Sequence, residues 1–164
     1  MTQTLPRIAH EHHEVLVEHV DRMPEIGAAL LQVDGDVIRP RVAELSTFLT
    51  TTLIAHVDAA ERALYPELER MLQNRHSMSP MKREHAEIRR LVTEFARLSS
   101  AVGRGQVPIG SRLAIRRVLF QLYALLEIHL AEEEAYLRIV EHGVSDEAAE
   151  VLGASLDHPG FRTA

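Results

Sequence analysis

The sequence predicts an all-α protein, an up-down-up-down bundle of four long helices followed by a short fifth helix. Three observations lead there. Apolar residues recur at three- and four-residue steps over long stretches, which is the spacing of one helical face. No stretch shows the period-two alternation of a half-buried strand. The 164 residues are 46% hydrophobic but only 4% aromatic, with no Trp, so the core must be built from Leu, Val, Ile and Ala, the usual filling of a bundle.

The elements follow in chain order. Thr4 and Pro6 read as an N-cap and an early helix position. Ile8, His12, Val15 and His19 then share one face, and Pro24 and Gly27 should kink or interrupt the helix before Leu31. Residues 33–36, Val-Asp-Gly-Asp, read as a turn. The second helix should start near Pro40 and run to about Gln73, with Leu45, Leu49, Leu53, His56, Val57, Leu64 and Leu68 inward and a kink at Pro66. A loop at 74–80 ends at Ser79, which caps a third helix starting at Pro80 with the stripe Met81, His85, Ile88, Val92 and Phe95. The glycine-rich stretch 103–111 is a linker. A fourth helix from about Ser111 to Glu141 carries Ile115, Val118, Leu122, Leu126, His129, Glu133, Tyr136 and Val140, a rod of roughly 45 Å. Gly143 should stop it, and Ser145-Asp146-Glu147 should cap the short helix at about 145–155, with 156–164 as a tail. The length suits a single domain over 1–164, with the bundle at about 5–141.

Charge and composition exclude several functions. The net charge of −6 argues against nucleic acid or an anionic membrane as the main partner. There are no cysteines, which removes disulfides and thiolate metal sites. The charged N-terminal stretch has no apolar core of a signal peptide, and no apolar run is long enough to span a bilayer. The expectation is a cytoplasmic monomer or homodimer.

The ten histidines carry the chemistry. Each long helix has one on its apolar stripe: His12, His56, His85 and His129. Glu133 follows His129 by four residues, so both project from one face. Glu61 follows His56 by five, which turns it toward the flank of its stripe. Burying imidazoles and carboxylates together calls for a compensating positive charge. Imidazole and carboxylate without thiolate suit iron, manganese or zinc. Six ligands, His12, His56, Glu61, His85, His129 and Glu133, are too many for one tetrahedral zinc and fit two six-coordinate irons bridged by the glutamates. His13, on the stripe edge with Leu16 and Val20, is the rival of His12. His19 and Glu134 are candidates to support the ligands from behind. His10, His76, His142 and His158 read as solvated or as helix-end charge.

The motifs resemble those of the hemerythrin family, in its bacterial HHE cation-binding branch. Its first-helix run is matched by Glu11-His12-His13-Glu14-Val15-Leu16. Its second-helix pattern is matched by His56 through Glu61 to Leu64-Tyr65-Pro66, its third by Glu84-His85-Ala86-Glu87-Ile88, and its fourth by His129 through Glu133 and Glu134. Two positions depart. The family's first carboxylate of helix two falls on Ala60, so Glu61 must serve in its place, and Met81 and Arg89 flank His85 where oxygen carriers place a second histidine. The resemblance, strongest to the mycobacterial hemerythrin-like proteins, implies two iron ions joined by an oxo or hydroxo bridge. It further implies reaction with hydrogen peroxide or nitric oxide, with Glu61 or Glu133 taking protons. Tyr65, Tyr123 or Tyr136 could fill a vacant position. Reversible binding of oxygen or nitric oxide is the alternative. A ferritin-type site is disfavoured, because no Glu-x-x-His occurs in the chain.

Overall fold

A computed structural model describes residues 5–100 and 107–143, with side chains from 13 to 138 of these. The described part is helical, without a strand. In order it comprises α1 (Leu5–Asp21), α2 (Met23–Gln32), α3 (Gly35–Phe48), α4 (Ile54–Ala59), α5 (Tyr65–Met71), α6 (Ser79–Ser100) and α7 (Ile109–Gly143). Two π-helical turns, Leu49–Leu53 and Ala60–Leu64, join α3 to α4 and α4 to α5, so these segments run as one long rod. The expected fifth helix at 145–155 lies outside the described residues.

Several boundaries move from their expected places. The first interruption falls at Arg22, and Pro24 sits at the start of α2, where its missing N–H has no partner to lose. Gly27 does not break the helix. It is buried where a Cβ would come within 2.8 Å of the Phe120 ring, so its role is close approach. Helix α3 begins at Gly35 and takes Pro40 into its interior on an exposed face, because burying Ile38 requires helix upstream of the proline. Pro66 leads α5 directly after the second π turn. A widened turn is one way a helix absorbs the carbonyl clash and lost N–H of a proline. Arg112 closes the other end of the molecule, donating to the carbonyls of Leu30, Val33 and Val107.

Helix α7 packs on α1, α2 and α6, and α3 packs on α6. The stripes expected for the second, third and fourth helices are buried, while Tyr136 is half-buried and Val140 lies outside the described side chains. The first helix turns a different face inward: His13, Leu16 and Val20 are buried, while Val15 and His19 are only partly covered. The apolar interior forms two clusters. The larger includes Leu53, Val57, Ile88, Leu126 and Leu130, and the smaller includes Ala60, Leu64, Leu68, Met81 and Leu137. Along the rod made by α4 and α5, and along α6 and α7, the polar residues described next fall between the two. Among the described residues, no helix is long and apolar enough to cross a membrane.

Candidate metal centre

Between the two apolar clusters lie His13 from α1, His56 from α4, His85 from α6, and His129 and Glu133 from α7. All are buried, with exposures between 0% and 6%. Glu133 is central. Its Oε2 accepts from His13 Nε2 at 3.1 Å and His56 Nε2 at 2.8 Å, while its Oε1 is buried with no hydrogen-bond partner. On its other side His85 Nε2 and His129 Nε2 stand 3.0 Å apart, and the Tyr65 hydroxyl is 3.0 Å from His85 Nε2. Two groups of ligand atoms result, His13–His56–Glu133 and His85–His129–Glu133, with Glu133 common to both.

The outward ring nitrogens make the inner contacts informative. His85 Nδ1 donates to Glu61 Oε1 at 3.0 Å, His129 Nδ1 to Glu84 Oε2 at 2.9 Å, and His13 Nδ1 to Glu134 Oε2 at 3.3 Å. A carboxylate only accepts, so these contacts put a proton on each Nδ1. His85 and His129, with no carboxylate bonded at Nε2, keep a lone pair there, whereas His13 faces carboxylates through both nitrogens and donates through both. Two such lone pairs facing each other at 3.0 Å between His85 and His129 repel. The contact needs added positive charge, either a shared proton or a metal cation. The unpartnered Glu133 Oε1 makes the same demand, since a buried carboxylate oxygen without a donor is costly. A separation of about 3 Å is also what adjacent ligands adopt around an ion held at about 2.1 Å. The donor set therefore fits cations bound through Nε2, with the outer carboxylates holding each ring in place.

The electrostatics agree. Burial would push the Glu133 carboxyl up, but His56, His13 and His129 outweigh it and hold it well below the usual carboxylate range. Burial and the neighbouring His129 push His85 down to about 4. For His13, burial works downward, yet Glu133 and then Glu134 raise it above its ordinary value. Burial, then the charge of Glu133, pushes the Tyr65 hydroxyl far up, so the metal-free site keeps it a phenol.

Of the ligands expected from sequence, His56, His85, His129 and Glu133 come together. The side chain of His12 lies outside the described residues, and His13, its rival, is in the cluster. Glu61 does not reach Glu133. It bonds the outer nitrogen of His85 and pairs with Arg89, which bridges on to Asp58. The five-residue offset from His56 accounts for this placement, together with the π turn that begins at Ala60. His19 is remote from the cluster, stacked on Phe48 at 4.0 Å and bonded to the Val15 carbonyl. Of the tyrosines, Tyr65 is in the cluster, while Tyr123 packs on the larger apolar cluster and Tyr136 on the smaller. Sequence reasoning missed Glu84. The only signal was its place beside His85, on the edge of α6 that faces α7.

Fold and site together define an all-helical protein with a cation-binding cluster of histidine and glutamate at its centre. The family model described as the hemerythrin HHE cation-binding domain matches residues 4–106 and again 79–162, and the chain belongs to that family. Comparison with curated proteins and with solved structures yields no match.

Proposed function

We propose that the chain is a single-domain hemerythrin-like protein, an up-down-up-down four-helix bundle, holding two irons and breaking down hydrogen peroxide, with nitric oxide as a second substrate. The observation that supports this most is Glu133 shared between two histidine pairs, one of which carries the Nε2–Nε2 contact at 3.0 Å. In this reading His13 and His56 would hold one ion and His85 and His129 the other, with Glu133 common to both. Tyr65 stands beside the second position as a further donor. When bound, an iron pair supplies Lewis acidity and two-electron redox capacity.

The chain's own groups supply the rest. Burial of every inner group excludes bulk water and limits access to small molecules. The partly exposed Glu134 accepts from His13 Nδ1 and holds that ring in place. Glu61, proposed from sequence as a base, acts on the centre only through the His85 ring. Burial also favours a second reading, reversible capture of oxygen or nitric oxide without turnover.

Metal content and peroxide consumption measured on one as-purified sample test both. Two irons per chain with oxygen release from peroxide are expected. Two irons without turnover would move the assignment to gas binding. A chain without metal, refractory to reconstitution with ferrous iron, would sink it.

A further inference from the structure

The three outer carboxylates are unevenly distributed. Both rings of the His85–His129 pair have their Nδ1 tied to one, Glu61 at 3.0 Å and Glu84 at 2.9 Å. In the other pair, His13 has a longer contact of 3.3 Å to Glu134, and His56 Nδ1 is buried with no partner. An imidazole whose outer N–H meets a carboxylate is held in one tautomer and orientation and is a better electron donor at its inner nitrogen. His56 has neither help. With its inner nitrogen turned to a cation, its outer N–H is left buried without an acceptor.

We propose that the two cation positions are unequal, and that Glu61 and Glu84 are positioning residues making the His85–His129 position the tighter, first-filled one. Glu134 plays the same part, more weakly, for the His13–His56 position. Arg89 belongs to the device. It bonds Glu61 at 2.8 Å while bonding Asp58 at 2.7 Å, which fixes the carboxylate against His85 rather than letting it swing inward. Side-chain exposures of 31%, 24% and 26% for Glu61, Glu84 and Glu134 leave these groups in contact with solvent. Their isosteric amides can therefore be made without opening a core cavity.

The inference rests on the proposed metal pair. Its test is an anaerobic titration of the metal-free, full-length chain with ferrous iron against a competing chelator. Two binding steps are expected, separated by about 10–100-fold, the usual effect of losing an outer partner. Glu84→Gln and Glu61→Gln should each weaken the first step, and Glu134→Gln only the second. Far-UV circular dichroism of each metal-free variant should match the parent. Two equal steps would overturn the inference and leave the metal pair standing, as would Glu134→Gln weakening the first step. No iron bound at all would instead remove the metal pair itself.

Discussion

Glu133 is fully buried and, among the described residues, is the carboxylate common to both histidine pairs. Glu133→Gln keeps its shape and removes its charge. Metal affinity should then fall at both positions, by more than the roughly 10–100-fold that an outer partner is worth, as read by metal content after chelator challenge. Retention of both ions would dismiss the bridging role. The metal-free chain should also depend on pH in a definite direction. His85 is pushed down to about 4 from 6.5, so between those values the unfolded chain holds a proton that the folded chain refuses. Stability must fall as pH drops through that window. His13 is raised above 6.5, so its contribution is present below 6.5 and is lost as pH rises through its folded value. Thermal melting of chelator-treated protein should therefore be highest near pH 6.5, and a melting temperature that climbs steadily toward pH 4 would contradict this. At this scale the histidines of the later helices were legible because each sits on an unambiguous stripe. The first helix offered two stripes one residue apart, and periodicity alone cannot rank Ile8–His12–Val15 against His13–Leu16–Val20.

The π turns are the element-scale feature that periodicity could not show. A π turn holds one residue more than the α turn it replaces, and the pattern on either side still reads as helix. The sequence carries no trace of it, because His56 through Pro66 keeps the family spacing, with Ala60 in place of the first carboxylate and Glu61 at the position of the second. Deleting Ala60 should convert Ala60–Leu64 to a regular turn and place the glutamate one turn after His56. The variant is expected to fold with unchanged helical content by circular dichroism and to show an altered electronic spectrum once loaded with iron. Loss of folding would mean that the widened turn is needed by Pro66 and the packing around it. Proline misled in the same way at position 40. Its preference for the first turn suggested a helix start, but the burial of Ile38 places the start upstream. The turn before α6 and its start at Ser79 were closer to expectation.

For the molecule as a whole, the fold class was legible because four apolar stripes and an aromatic-poor composition leave few other ways to bury the surface. The division of the interior was not, because a stripe lists inward residues without saying which of them touch across helices. The larger apolar cluster draws on α1, α2, α3, α4, α6 and α7, whereas the smaller is built mainly from residues 59–81 and Leu137. Between them lies a layer of imidazole and carboxylate that offers little cohesion unless a cation holds it. A cation in that layer is expected to tie the opening of the two ends together. Amide hydrogens in Tyr65–Met71 and the first turns of α6 should exchange with solvent much faster once the metal is stripped, while those of α2 and the middle of α7 should change little. Uniform protection across both ends in the metal-free chain would argue against that division. In a cell short of the metal that fills it, the same layer would make the smaller end the first place a protease finds an open backbone, so that metal supply would set the lifetime of the protein.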